Sequence, residues 1–289
     1  MSEERTEDIK EFLNNYNPND YERPSVTVDM LLFTVAKSNV IVNTDDNMKL
    51  KLLLIQRKNH PYKGDWAIPG GFVDINEDLE KAVYRELKEE TDIDNVYLEQ
   101  LHTWGDVGRD PRMRIISASY MALASSETLN PKAGDDANDT AWFDIEKVLV
   151  NKTDEMCQYE LSISNKEKDI HIKYLVEDKV VRKGKINTKE TTITHIDGYK
   201  QLAFDHCKII NLAIDELRKK IWDTPIVFNL MNDKFALSDL QKTYEAILDT
   251  SLTTPNFRRR VSRYVYELDE FESNVSHRPA RLFKYNGNL

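Results

Sequence analysis

"WAIPGGFVDINEDLEKAVYRELKEETDI", residues 66–93, sets Glu86, Glu89 and Glu90 into one turn of an evident helix. At about 100° per residue, Leu79, Ala82, Val83 and Leu87 form one stripe, and Glu77, Lys81, Tyr84 and Lys88 lie roughly opposite. The three glutamates fall within the apolar stripe. Carboxylates continuing a core-facing stripe repel one another and lose hydration unless something positive sits among them. A bound metal ion is the simplest such charge. Mg²⁺ takes hard oxygen ligands and is commonly shared between a few carboxylates and substrate phosphates, and glutamates at i, i+3 and i+4 meet that need. Pro69, Gly70 and Gly71 let the backbone turn tightly before the helix, so that a bound group can come close. A bare E-x-x-E-E run is better read as a solvated acidic face, so the surrounding positions decide the matter.

Those positions resemble the signature of the Nudix hydrolase superfamily: G, five residues, E, seven residues, then R-E-U-x-E-E-x-G-U, with U aliphatic. Gly71, Glu77, Arg85, Glu86, Leu87, Glu89, Glu90 and Ile93 fall in register, and Asp92 stands where the family has glycine. The resemblance implies that Glu86, Glu89 and Glu90 hold divalent ions, Mg²⁺ or Mn²⁺, and that Arg85 orients a glutamate through a salt bridge. It also implies that the metals polarise a diphosphate and activate the attacking water, with a glutamate as general base. Gly70 and Gly71 would then approach the ligand. "GDVGRDPRMR" places Arg109 and Arg112 on a loop, where guanidinium groups suit bidentate phosphate contacts. This segment and "HPYKGDWAIPGGFV" resemble those of Nudix proteins that act on ADP-ribose. The alternative for the arginines is a charged hairpin with self-contained Arg and Asp pairs.

Around this segment, "SVTVDMLLFTVA" and "KLKLLLIQR" read as strands, with "VYLEQLHTWGDV" and "MRIISASYMALA" as two more. Strands around helices give an α/β layered domain over residues 1–150, with a short N-terminal helix at 6–16 and "TAWFDIEKVL" as its closing helix or turn. The resemblance makes it a Nudix α/β/α sandwich. Residues 151–198 show short alternating stretches and read as a β-rich insertion or extension. Helical periodicity returns in a connecting helix at 199–222, with Leu202, Ile209, Ile210, Ala213 and Leu217 among its apolar positions.

Charge divides the chain of 289 residues, whose net charge is −10. Residues 255–289 hold seven Lys/Arg against four Asp/Glu, a balance of +3, which leaves 33 against 46, or −13, elsewhere. That excludes coating nucleic acid with the whole surface and leaves a local basic contact. No run approaches the roughly 18 apolar residues of a membrane span and the start is charged, so the expected location is cytoplasmic. Cys157 and Cys207, far apart, suggest neither a disulfide framework nor a thiolate metal site.

Residues 223–289 contain "FALSDLQKTYEAIL", a helix with Ser238 and Gln241 in a capping-box pattern. "TTPNFRRRVSRYVYEL" follows, with Thr254 as cap and Pro255 at the first helical position. Phe257, Val261, Tyr264, Val265 and Leu268 share one face of this second helix, Asn256, Arg259, Ser262 and Arg263 the other, and Arg260 borders it. "DEFESNVSHRPARLFKYN" reads as a β-hairpin carrying Arg278, Arg281 and Lys284. Two helices and a hairpin describe a winged helix-turn-helix, with the Arg side chains as candidates for phosphates and base edges. The alternative is a solvated face supporting a dimer.

At both ends, though not over residues 151–195, the chain resembles the Nudix-type transcriptional regulators, which join an N-terminal Nudix domain to a C-terminal winged helix; "FALSDLQKTYEAIL", "NFRRRV" and "RPARLFKY" carry the resemblance in the second part. The resemblance implies a homodimer that binds operator DNA in response to ADP-ribose or a related nucleoside diphosphate derivative. The rival expectation is an ADP-ribose pyrophosphatase whose second domain only dimerises it.

Overall fold

The computed structural model describes residues 3–37, 48–91, 96–129, 137–273 and 279–287. An N-terminal helix α1 (Glu3–Asn15) precedes β1 (Ser25–Lys37) and β2 (Met48–Arg57). The short strands β3 (Trp66–Ala67) and β4 (Gly70–Phe72) lead into α2 (Leu79–Thr91), followed by β5 (Tyr97–Trp104) and β6 (Ile115–Leu123). Four long strands come next: β7 (Ala137–Lys152), β8 (Met156–Asn165), β9 (Ile170–Lys183) and β10 (Ile186–His195). Then α3 (His206–Lys220) leads to β11 (Phe235–Ala236), α4 (Leu237–Leu248), α5 (Thr254–Val261), β12 (Val265–Phe271) and β13 (Arg281–Tyr285).

One mixed sheet runs in the order β10-β9-β8-β7-β2-β1-β6-β5, with β3 and β4 pairing β2 and β1. Strand β1 at its centre is a nearly continuous apolar run because both faces are covered. Its alternate residues serve two cores: Val28, Met30 and Leu32 pack with Ala82, Val83 and Leu87 of α2, while Leu31, Phe33 and Val35 join the cluster containing Ile210, Ala213 and Leu217 of α3. The sheet is therefore sandwiched between α2 and α3. Among the described residues no helix is long and apolar enough to cross a membrane.

The segment expected to close the domain as a helix or turn is strand instead. In "TAWFDIEKVL", Ala141, Phe143, Ile145 and Lys147 are buried in strict alternation, the period of a strand with one covered face. Trp142 and the acidic residues Asp144 and Glu146 between them lie on the other face. Residues 156–195 continue from β7 as an antiparallel meander in the same sheet.

In the C-terminal part, the expected capping box does not form. Ala236 is the N-cap of α4, without a side-chain bond, because Phe235 and Ala236 are held extended against β13 and Ser238 is already inside the helix. Gln241 instead donates to Glu245 at 3.1 Å and to the Leu252 carbonyl at 2.8 Å. Thr253, one residue earlier than expected, is the N-cap of α5. Helix α5 also stops at Val261, earlier than the apolar pattern suggests. After a turn at Ser262–Tyr264, Val265 begins a strand that pairs with Tyr285, and the β-branched and aromatic run "YVY" suits that pleated edge. Phe257 and Val261 remain the buried face of α5.

Candidate ligand and DNA sites

The candidate ligand site is a cavity of about 430 Å³ between the β4–α2 entry, the 106–114 loop and the segment that precedes α3. Glycine is required at both positions of its entry strand. A Cβ on Gly70 would lie 2.2 Å from the Val28 carbonyl oxygen, and one on Gly71 would lie 2.1 Å from Glu86 Oε1. Gly71 thus makes room for a carboxylate.

Arg85 gathers the acids of this corner. Its Nε and Nη2 donate to Glu77 at 2.8 and 2.9 Å, and its Nη1 to Glu86 at 2.7 Å and Glu89 at 3.2 Å. A further bond at 3.0 Å reaches the Phe72 carbonyl and locks the guanidinium over the entry strand. Glu86 is 8% exposed, and burial raises its pKa above the ordinary carboxylate value. Bonding to Arg85 holds the Glu77 carboxyl below that value. Of the apolar stripe, Ala82, Val83 and Leu87 are buried while Leu79 is exposed. Glu89, at 59% side-chain exposure, sits at the solvent margin. The side chain of Glu90, together with Asp92 and Ile93, lies outside the described residues.

Glu86 and Glu89 converge on a single cationic nitrogen, so two hard oxygen donors of different residues already share one small positive charge. That donor set fits a divalent cation, since one carboxylate is desolvated and the other faces the cavity. Among the described residues no group of three or more His, Cys, Asp or Glu side chains is arranged to hold a metal.

Arg109 and Arg112 both line the cavity, and both are paired to acids. Arg112 binds Asp110 at 3.0 and 2.8 Å and lies 5.4 Å from the Phe72 ring and 5.8 Å from the Phe204 ring. Arg109, 6% exposed, holds Asp205 at 3.1 and 2.8 Å and comes within 3.8 Å of Asp29.

Sequence reasoning missed the wall that the connecting segment supplies. Phe204, just ahead of α3, and His206, its first residue, line the cavity, with Asp205 between them bound to Arg109. The Arg57 guanidinium stacks on Phe204 at 4.8 Å, and Tyr62 meets its edge. His206 accepts the Ile68 amide on Nδ1 at 2.9 Å, and its burial lowers its pKa, which keeps the ring neutral. Asp29, also missed, bonds Ser117 at the cavity floor. The available signal was "FDH" directly before an apolar helical run, where Asp reads as an ordinary helix cap.

At its other end α3 is bolted to the C-terminal part. Arg218 donates to the Ile247 carbonyl of α4 at 2.8 Å and to the Lys147 carbonyl of β7 at 3.1 Å. Buried Lys147, whose pKa is lowered by desolvation, pairs with Asp215 at 2.5 Å. Trp222 packs on Tyr244 with ring centroids 4.5 Å apart and planes tilted by 37°, and the Arg260 guanidinium covers Trp222 at 3.8 Å.

Of the candidate DNA contacts, Asn256, Arg259 and Arg260 lie on the exposed side of α5, joined by Arg258, which sequence reasoning left out. Arg263 follows the helix and stacks on Tyr264 at 4.5 Å. On the hairpin, Arg281 pairs with Glu267 at 3.2 Å and Lys284 with Asp233 at 2.9 Å; Arg278 lies outside the described residues.

Known proteins share this two-part architecture. The NUDIX domain family matches residues 34–162, and the NrtR DNA-binding winged helix domain matches residues 227–285. Over 278 residues the chain is 32% identical to the ADPR responsive transcriptional repressor NtrR of Acinetobacter baylyi, covering 95% of this chain and 87% of that protein. The chain belongs to the NrtR family of Nudix regulators. Within the solved structures, a MutT/nudix family protein from Enterococcus faecalis superposes with a TM-score of 0.72 at 29% identity, over 97% of this chain and 93% of that one. NrtR of Shewanella oneidensis complexed with a 27mer DNA gives 0.61 at 27% identity, over 90% and 93%. The family's fold, a Nudix sheet followed by a winged helix, is the one described above, and Nudix hydrolases generally use a divalent metal.

Proposed function

We propose that this protein is a cytoplasmic, homodimeric transcriptional regulator whose Nudix cavity binds ADP-ribose or a related nucleoside diphosphate derivative and whose winged helix binds operator DNA. The observation that carries this reading is the placement of α3. The segment before its first turn forms a wall of the ligand cavity, and its last turns hold α4 and the residue on which Arg260 lies. A ligand that shifts the cavity wall therefore acts on the helices that present α5. The arginines of α5 supply phosphate and base-edge contacts, with Arg281 and Lys284 of the wing placed beside the backbone. In a dimer, two copies of α5 read paired half-sites.

A second activity is supported by the glutamates. Gly71, Glu77, Arg85, Glu86 and Glu89 fall in register with the Nudix signature, and the three glutamates are gathered around Arg85, an arrangement suited to hydrolysis of the bound diphosphate with Mg²⁺ or Mn²⁺. When bound, the cation supplies polarisation of the diphosphate and a more acidic attacking water. Arg85 fixes Glu86 and Glu89 against each other, Gly71 leaves space for the Glu86 carboxylate, and Arg109 and Arg112 offer charge to the phosphates. Hydrolysis at this site would end the signal.

A pair of double variants separates the two activities. Arg258→Ala with Arg259→Ala is expected to weaken binding to a duplex selected from a random pool by roughly 100-fold and to spare AMP release from ADP-ribose. Glu86→Gln with Glu89→Gln is expected to do the reverse. Normal DNA binding by the arginine variant would sink the assignment of α5.

A further inference from the structure

Asp205 occupies the N-cap position of α3 yet makes no side-chain cap bond. An aspartate there ordinarily accepts the first free amides of its helix. Here both carboxylate oxygens are taken by Nε and Nη2 of Arg109, whose side chain lines the cavity. The pair is well shielded, with side-chain exposures of 6% and 10%. The preceding residue, Phe204, has φ 52°, a left-handed backbone that a bulky side chain adopts only when its surroundings hold it there. What holds it is the cavity: its ring lies under Arg57, beside Tyr62.

We infer that Asp205 is an internal stand-in for ligand phosphate, occupying Arg109 in the DNA-binding state, and that a bound diphosphate takes Arg109 over and releases Asp205 to cap α3. The inference rests on the proposed ligand reading and adds the residue that transmits it. Two anions compete for one guanidinium: the carboxylate of this chain and the phosphate of the ligand. Once displaced, Asp205 has a second partner within reach, the first turn of its own helix, where the Lys208 amide now bonds the Asp205 backbone carbonyl at 2.9 Å and would exchange it for the carboxylate. Helix α3 thus has two discrete arrangements at its first turn. Its fifteen residues span about 22 Å and end at Lys220, with Arg218 in the last turn against α4 and Trp222 just beyond the helix against Arg260. Asp205 is a positioning residue: it acts through Arg109 and α3 and touches neither DNA nor a reacting bond.

Competition fixes the sign of the test. Full-length wild type, Asp205→Asn and Asp205→Glu are compared, with EDTA present to prevent turnover. Calorimetry measures binding of ADP-ribose and, separately, of inorganic pyrophosphate, and fluorescence anisotropy follows a duplex selected from a random pool. Asparagine still caps a helix but removes the competing charge. Asp205→Asn is therefore expected to bind both ligands about three- to fivefold more tightly, the scale of one ion pair. Its DNA affinity should change less than twofold on adding ADP-ribose, where the wild type loses about tenfold or more, a typical allosteric coupling. Asp205→Glu should return both quantities towards wild type. A merely structural Asp205 would weaken ligand binding on substitution, and that outcome, or unchanged coupling to DNA, overturns the inference. If wild type binds pyrophosphate and not ADP-ribose, the ligand reading fails alone, and the pyrophosphate arm still decides the competition. If it binds neither, both fail.

Discussion

The arginines of the ligand cavity and those of α5 are built for opposite tasks. In the cavity, Arg85, Arg109 and Arg112 each hold carboxylates at 2.7–3.2 Å, so an anion that binds one of them must displace or share an internal partner; Arg57, which also lines the cavity, lies over the Phe204 ring. On α5, Arg258 and Arg259 are exposed, and Arg259 makes a long 3.4 Å bond to its neighbour Asn256. No acidic residue stands in the helix that carries them. Pre-neutralised arginines make a site that discriminates among anions by geometry, whereas solvated ones make a surface that meets any phosphate backbone and is sensitive to salt. Arg260 belongs to neither group, because it lies on Trp222 and joins the two parts.

The largest expected effect breaks the cavity side alone. Glu86→Gln with Glu89→Gln should lower AMP release from ADP-ribose on the order of 10³-fold, since a divalent cation contributes several kcal/mol to such a reaction. DNA affinity should be unchanged. Next in size, Arg258→Ala with Arg259→Ala should weaken duplex binding roughly 100-fold and flatten the dependence of log K on log salt by about one for each phosphate left without its arginine. A salt slope equal to wild type would contradict the solvated role given to these two residues. Smaller again is Gly71→Ala, whose Cβ would meet the Glu86 carboxylate at 2.1 Å. A loss of about 1–3 kcal/mol in denaturant unfolding is expected from such overpacking.

The smallest effect is a pH dependence. Burial raises the Glu86 pKa above its ordinary 4.5, so between that value and the raised one the folded state holds more protons than the unfolded chain. Stability from this group therefore falls as pH rises through the window above about 4.5. Glu86→Gln should remove that part of the decline in Tm, and Mg²⁺ should raise the Tm of wild type at pH 7 and not that of the variant. An identical pH profile in the two proteins would mean that Arg85 already compensates the buried charge.

The two regions also differ in how far the sequence discloses them. In α2 the chemistry and the helical period lie on one continuous segment, so Gly71, Arg85 and Glu86 could be placed from the sequence alone. Arg109 and Arg112 could be placed on a loop, and the alternative of self-contained Arg and Asp pairs is what Arg112 and Asp110 form; the partner of Arg109 could not be read, because Asp205 lies 96 residues away. The Phe204–His206 wall carries no spacing signal, since its meaning comes from packing against Ile68 and Arg57 far away in the chain. The β7 segment was ambiguous for a different reason: a charged, amphipathic ten-residue stretch fits a surface helix until a neighbouring strand claims it. On α5 the residue types were legible and the helix end was not, because Val265 leaves the helix only through its pairing with Tyr285.

The central claim is that occupation of the cavity and occupation of DNA are one equilibrium linked through α3. The most direct test is calorimetric titration of ADP-ribose, in EDTA, into the full-length protein alone and into the protein saturated with its selected duplex. Linkage requires that DNA weaken ligand binding by the same factor by which ligand weakens DNA binding, expected at about tenfold or more. Equal affinity for ADP-ribose with and without DNA would contradict the account.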